Sequence, residues 1–202
     1  MIIYGAGSLG KIILAELITD QFPYGDVVFF DENRELPEYL YNKYRVIKSP
    51  DELKAEIKNG NELFFPAVGN PRKREKITEQ LELSGGKLIS IISAGAYISP
   101  LNDNRFEGLF APLWAGISHN TTIEKSCILH HYTAIGHDVV IGKYASISPG
   151  VQVCSFSSIG DYCFIGTGAI ISTHIKVGNN VVIGAGALVT RDLNDYETYI
   201  AG

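Results

Sequence analysis

Residues 117–189 read, in blocks of six, ISHNTT IEKSCI LHHYTA IGHDVV IGKYAS ISPGVQ VCSFSS IGDYCF IGTGAI ISTHIK VGNNVV IGAGAL V. Every block opens on an aliphatic residue: Ile117, Ile123, Leu129, Ile135, Ile141, Ile147, Val153, Ile159, Ile165, Ile171, Val177, Ile183 and Val189. A helix face repeats at about 3.6 residues and a strand face at about 2, so this period belongs to neither. It suits a chain that turns a corner after each block, three blocks closing one coil of a triangular, left-handed parallel β-helix. A second column, from Thr121 and Cys127 to Ala187 and Leu193, holds mostly small residues four positions after each aliphatic. Both columns must enter a narrow prism, so one is bulky and the other small. Gly follows the aliphatic at Gly136, Gly142, Gly160, Gly166, Gly178 and Gly184. These glycines are expected to supply the corners with their permissive dihedrals.

Working outward, the residues before the coil change pattern. Ile2-Ile3-Tyr4 reads as a strand, followed by a Gly-rich turn and a helix to about Asp20. Val27 to Phe30 is a second strand; Ser49-Pro50-Asp51-Glu52 opens a helix, with Pro in its first turn. Leu63-Phe64-Phe65 is a strand, Pro71 to Leu83 a charged helix, and Lys87 to Ile92 a further strand. Strands alternating with helices imply a parallel α/β sheet. The expected organisation is a truncated Rossmann-like domain over residues 1–92 and a β-helix domain over 93–202, with Ser93 to Pro100 as passage and Leu101 to Gly116 as an irregular first coil.

Composition narrows the partners. The 202 residues carry a net charge of −5 and no Lys/Arg stripe, which argues against nucleic acid. Apolar runs are far too short to span a membrane, and Met1-Ile2-Ile3-Tyr4 lacks the basic start of a signal peptide. Cys127 and Cys163 are two coils apart on one face; at about 4.8 Å per stacked strand their separation of about 10 Å exceeds the disulfide limit of about 7 Å. All three cysteines read as reduced thiols of a cytoplasmic protein.

Two motifs carry chemistry. Gly5-x-Gly7-x-x-Gly10 lies between a strand and a helix, and Asp31-Glu32 closes the next strand. Glycines that let a phosphate approach, a helix N-terminus and an acid for hydroxyls suit a nucleotide sugar; NAD(P) and a purely structural turn are the alternatives. Among five histidines, His137 is followed by Asp138, a carboxylate able to fix its tautomer and raise its basicity. His119, eighteen residues earlier, stacks one coil away in the same column, and His131 lies on a neighbouring face. His119, His131 and His137 as metal ligands is the alternative, as in zinc carbonic anhydrases built on such a coil, but the spacings of 12 and 6 differ from theirs, and no metal is expected. Ser155 lies eighteen residues after His137, one coil above it in the same column.

With these motifs assembled, the whole chain resembles the bacterial sugar acyltransferases that include PglD-like UDP-4-amino-sugar N-acetyltransferases and NeuD-like sialic acid O-acetyltransferases. The resemblance rests on the segment from Tyr4 to Gly10, Phe30-Asp31-Glu32, Ala67-Val68-Gly69-Asn70, Gly136-His137-Asp138 with Ile141-Gly142, and Ile183 to Ala187. It implies an acetyl-CoA-dependent acetyltransferase with no tightly bound cofactor. In it His137 is the general base, Asp138 supports it, and transfer to the amine of a UDP-linked 4-amino-sugar is direct. Gly7, Ser8, Leu9, Asp31, Glu32 and Gly69 match positions that hold the UDP-sugar. Ser146, Thr167 and Ala185 match positions that contact acetyl-CoA, with Ser155 at the reacting end. The resemblance also implies a homotrimer. Ser146 stands where close relatives can have His, and Ser155 where Gly is common. Two rival functions stand beside this one: O-acetylation of a sialic acid or other polysaccharide sugar, and a non-catalytic nucleotide-binding module on a β-helix scaffold.

Overall fold

Backbone amides at regularly spaced corners organise most of the chain. The computed structural model describes residues 1–23, 25–103 and 105–200. It divides into two units, Met1–Ile89 and Ser90–Gly202. No helix among the described residues is long and apolar enough to cross a membrane.

The first unit is built in chain order from β1 (Ile2–Tyr4), α1 (Ser8–Thr19), β2 (Val28–Phe30), β3 (Tyr39–Leu40), β4 (Tyr44–Ile47), α2 (Pro50–Lys58), β5 (Leu63–Pro66), α3 (Pro71–Leu83) and β6 (Lys87–Leu88). The sheet order is β3-β4-β2-β1-β5-β6, parallel except for β3 against β4. The chain first winds to one side of β1 and then returns to the other. That reversal opens a crevice beyond the strand ends, where ligands of open α/β sheets bind. Ile2, Phe30 and Phe64 from the strands pack with Leu53, Ile57, Ile77 and Leu81 from α2 and α3. Ser49 and Glu52 form a reciprocal capping box on α2, and Asn70 caps α3. Gly10 is required by contact: a Cβ there would lie 2.0 Å from the Gly5 carbonyl oxygen.

In the second unit, two-residue strands stack in three sheets. The first face runs Tyr97–Ile98, Gly116–Ile117, Ala134–Ile135, Gln152–Val153, Ile170–Ile171 and Leu188–Val189. The second runs Thr122–Ile123, Val140–Ile141, Ser158–Ile159 and Lys176–Val177. The third begins at Ile91–Ile92 and includes Ile128–Leu129, Ser146–Ile147, Phe164–Ile165 and Val182–Ile183. Every pairing is parallel with a register of eighteen residues along the regular coils, as in Ile135 against Val153. Both columns enter the prism: none of their residues is more than 7 % exposed.

Two details differ from the sequence expectation. Lys87 to Ile92 is not one strand. Lys87–Leu88 pairs with Leu63–Phe64 in the first sheet, whereas Ile91–Ile92 pairs with Phe110–Ala111 in the coil. Ile92 and Ile98 already keep the six-residue spacing, so only the stretch after Pro100 departs from it. Ser90 stitches that stretch down: its hydroxyl donates to the Phe106 carbonyl and accepts from the Leu109 N–H.

The glycines after the aliphatics also act differently. The left-handed residue of each corner is the third after the aliphatic, including Asn120, Tyr132, Asp138, Tyr144, Phe156 and His174, with Gly150, Gly168 and Gly186 in the same series. Left-handed backbone costs a side-chain-bearing residue about 1–2 kcal/mol. Most of these N–H groups reach the preceding coil, as Tyr144 does to the Lys125 carbonyl at 2.9 Å and Phe156 to that of His137 at 3.1 Å. Such a bond contributes about 0.5–1.5 kcal/mol net, and stacked rings such as Tyr144 on Tyr162 add about 0.5–1.5 kcal/mol. The glycines after the aliphatics are there for close approach. A Cβ on Gly160 would meet the Gly178 carbonyl oxygen at 2.6 Å, and one on Gly166 the Ala185 nitrogen at 2.5 Å. Gly184 is the exception, with its nearest atoms at 3.5 Å. Gly160→Ala therefore forces two coils apart and is expected to cost about 1–3 kcal/mol, read as a lowered thermal midpoint, while Gly184→Ala leaves the midpoint nearly unchanged.

Candidate active site

The corner between the first and second faces gathers the titratable residues. Asp138 occupies the left-handed position (φ 55), and its N–H donates to the His119 carbonyl at 3.1 Å. His137 Nδ1 lies 2.7 Å from Asp138 Oδ2. A carboxylate only accepts, so Nδ1 carries the proton and Nε2 keeps the lone pair. The hydrogen bond from His137 holds the Asp138 carboxyl below its usual range, against an opposing desolvation; a bond from Asn120 and the charges of His137 and His119 add to the lowering. Asn120 Nδ2 donates to Asp138 Oδ1 at 3.3 Å. The His119 ring stacks on His137, centroids 4.9 Å apart and planes 6° from parallel, while Phe156 meets His137 edge-on at 5.0 Å. The His137 side chain is still 38 % exposed.

Directly above, Ser155 approaches Gly136 so closely that a Cβ on Gly136 would lie 2.7 Å from the Ser155 nitrogen. Among the described residues no acceptor takes the Ser155 N–H. Three equivalent amides of the next corner are covered: Lys143, Asp161 and Asn179 donate to the side chains of Asp161, Asn179 and Asp195 at 2.7–2.8 Å. One corner is thus closed by an acid–amide ladder and the other left open.

His119, His137 and Asp138 also present ligand-type atoms within 4.8 Å of one another. Two nearly parallel stacked rings aim their in-plane lone pairs side by side, and His137 Nδ1 is occupied by Asp138. A tetrahedral metal needs donors converging at about 2.0–2.2 Å, which this arrangement does not supply. His131, the third member of the alternative ligand set, lies on a different corner, with its carbonyl bonded to the Gly150 N–H.

The third corner holds Thr167 and Ala185, both exposed. Beside them Gly168 and Gly186 have φ +69 and open space where a Cβ would be. The result is a strip of bare backbone along the coil. Ser146 is not part of it: it lies 3 % exposed on the third face, paired with Phe164.

In the first unit, the turns after β1 and β5 meet at the crevice. A Cβ on Gly5 would lie 2.8 Å from the Ala67 carbonyl oxygen. Gly7 is the N-cap of α1 and provides no side-chain cap, and the first turn contains no acid. Such a helix start favours an anion. Gly7 and Ser8 are exposed and Leu9 half-buried. Asp31 is tied to the turn: its Oδ2 accepts from the Ala6 N–H at 2.9 Å and its Oδ1 from the Asn33 N–H at 3.0 Å. Glu32 is exposed and borders a groove of about 380 Å³ with Tyr4, Phe30 and Leu53. Burial, then Glu32 and Asp31, push the Tyr4 hydroxyl above its ordinary range. Gly69 is exposed, but its carbonyl and that of Val68 accept from Arg74 at 3.1 and 2.7 Å. Arg74 is fully buried and was missed by the sequence reading, which treated α3 only as highly charged. Its spacing to Ile77, Thr78 and Leu81, all buried, was the available signal.

The cysteines lie apart from these groups. Cys127 and Cys163 are buried and Cys154 half-buried, and all three are thiols rather than halves of a disulfide. Burial pushes the Cys163 thiol up to about 11, so at pH 8 it stays protonated, and its thiolate forms only as pH nears that value. Labelling with a thiol reagent at pH 8 is expected to modify Cys154 quickly and Cys163 only after unfolding, read by intact and peptide mass.

Residues 1–81 match the PglD N-terminal domain family, and residues 120–155 and 156–191 match the six-repeat bacterial transferase hexapeptide family. Among solved structures, the acetyltransferase domain of PglB from Neisseria gonorrhoeae, in complex with acetyl coenzyme A, is 30% identical. That alignment covers 98% of this chain and 94% of that one, with a TM-score of 0.88. WeeI from Acinetobacter baumannii is 28% identical over 98% and 94%, with a TM-score of 0.86. PerB from Caulobacter crescentus, in complex with CoA and GDP-perosamine, is 24% identical over 98% and 92%, with a TM-score of 0.89; at that identity the likeness speaks to fold.

Proposed function

Because this chain belongs to the PglD-like sugar acetyltransferases of the hexapeptide-repeat class, we propose that it transfers the acetyl group of acetyl-CoA to the amine of a UDP-linked 4-amino-sugar. The observation that carries the reading is the His137–Asp138 pair, with Nδ1 committed to the carboxylate and the side chain 38 % exposed.

In this mechanism the sugar amine attacks the thioester carbonyl carbon. Nε2 of His137 takes the amine proton as the tetrahedral intermediate forms. Asp138 stabilises the imidazolium, and the uncovered Ser155 N–H donates to the oxyanion. Collapse breaks the carbon–sulfur bond, and the imidazolium returns its proton to the departing thiolate. The products are an N-acetylated sugar nucleotide and free CoA; no acyl-enzyme forms.

The nucleotide diphosphate sits on the α1 start at Gly7, Ser8 and Leu9, with Gly69 opposite. Asp31 acts by holding the turn in shape, and Glu32 is free to take a hydroxyl or a base N–H. The pantetheine arm follows the bare strip beside Thr167 and Ala185. Ser146 belongs to the donor set in related sequences, but here it is buried within its own chain, so Thr167 and Ala185 carry that contact. The donor strip and His137 are on different corners of one coil. A homotrimer resolves this by bringing the donor corner of one copy beside the base of its neighbour, as closed cyclic symmetry allows. Free thiols and an acetyl-CoA donor suit the cytoplasm.

Thiol release from acetyl-CoA with a panel of UDP- and GDP-linked 4-amino-sugars and free sialic acids, followed by mass spectrometry, tests the reading. Gain of one acetyl group on the UDP-amino-sugar is expected; acetylation of sialic acid alone would replace it with the O-acetyltransferase reading. His137→Ala is expected to lower kcat by about 10²–10⁴ with an unchanged sedimentation profile. Asp31→Ala is expected to weaken sugar-nucleotide binding by calorimetry and leave CoA binding intact.

A further inference from the structure

His137 and Asp138 are neighbours in sequence, and a pair of adjacent short side chains has no intrinsic reason to stay joined. Asp138 is 37 % exposed and could turn to water. Its backbone is pinned by the bond to the His119 carbonyl, but that leaves the side chain free to rotate. Oδ2 faces His137, and Oδ1 meets an amide from the coil before, Asn120, eighteen residues earlier in the same left-handed column. At the neighbouring corner the corresponding acids and amides bond to backbone N–H groups and close the surface. There Asn179 also donates its amide to Asp195 at 3.4 Å, but that carboxylate is bonded to a backbone N–H as well; at this corner the carboxylate that takes the amide holds the His137 imidazole instead. The preceding coil also supplies His119, whose ring is the floor on which His137 lies.

We propose that Asn120 is a positioning residue for the reaction: it fixes the Asp138 carboxylate against His137 Nδ1, with the His119 ring holding the imidazole plane. The inference rests on the acetyltransferase reading above. The groups facing His137 are few. Asp138 shares its corner, His119 lies below, and above are Phe156 and, stacked behind it, His174. With Asn120 in place, the carboxylate keeps one orientation through the proton transfer, and His137 keeps one tautomer. Without it, the carboxylate divides its time between imidazole and water. The imidazolium is then less stabilised, and fewer encounters find Nε2 deprotonated and aligned.

Two variants test this. Asn120→Gly removes the amide at a position whose left-handed backbone glycine accepts without strain. Asn120→Asp keeps the shape and replaces the donor with a second negative charge. Asn120→Gly is expected to lower kcat about tenfold, less than loss of a general base, with unchanged KM for both substrates. The acidic limb of its kcat/KM profile moves to lower pH, because the imidazolium has lost support. Asn120→Asp moves that limb to higher pH, because a further anion near the pair stabilises the imidazolium. Opposite shifts support the proposal. An unchanged kcat, or a lowered kcat with an unmoved limb in both variants, overturns it and leaves Asn120 a corner residue only. Should Asn120→Gly fail to fold, Asn120→Ala takes its place, with the same expected loss of kcat and the same shift of the limb to lower pH; an unmoved limb there overturns the proposal. His137→Ala measured alongside separates the two readings: full activity there sinks His137 as the general base, whereas an inactive His137→Ala beside a normal Asn120→Gly sinks only the role of Asn120.

Discussion

The hydrogen bond from left-handed corner residues to the carbonyl one coil below is the interaction on which the second unit depends. It ties Asp138 to His119, Phe156 to His137, and Tyr144 to Lys125. The strands are only two residues long, too short to hold register by themselves. The corner bond supplies that register, and with it the stacking of like positions. The His119 and His137 rings are 4.9 Å apart because their coils are, at about the spacing of neighbouring strands. The demand for closeness explains the glycines as well. At Gly136, Gly160 and Gly166 the next coil occupies the place of a Cβ.

A single backbone plan repeated at three corners yields three surfaces, and side chains decide between them. Asp161, Asn179 and Asp195 turn inward on the backbone amides of the second corner and seal it. Gly168 and Gly186 strip the third corner to bare backbone. The first corner keeps its amide at Ser155 uncovered and gathers His119, Asn120, His137 and Asp138. The acetyltransferase chemistry therefore needs no departure from the fold. It uses a corner from which the sealing side chains are missing, and it directs their polar groups at one another.

The first unit works by the same economy of backbone. Gly5 and Gly10 are excluded from bearing side chains by contacts at 2.8 and 2.0 Å. Asp31 spends both oxygens on the turn and its own strand end. Arg74 spends a buried charge on the carbonyls of Val68 and Gly69, shaping the facing loop. The acid that sequence alone assigns to a ligand hydroxyl is thus first a brace for the phosphate-type turn, and the more exposed Glu32 is the freer carboxylate.

The hexad repeat, the inward columns, the α/β unit before them and the pairing of His137 with Asp138 were legible in the residue order. Each is a local periodicity or an adjacency, and burial enforces it wherever it occurs. The stacking of His119 on His137 followed from the same arithmetic. The role of the glycines did not, because the nearest atoms to Gly160 belong to Gly178, eighteen positions on, and only coil-to-coil distance shows that a Cβ has no room. The split of Lys87 to Ile92 between two sheets, the engagement of Asp31 by Ala6, the burial of Arg74, and the bond from Asn120 to Asp138 were likewise settled in three dimensions. All depend on which backbone groups come within hydrogen-bonding distance across the fold. A one-dimensional pattern encodes which side chains face inward; it does not encode which polar atoms remain without a partner once the chain has closed.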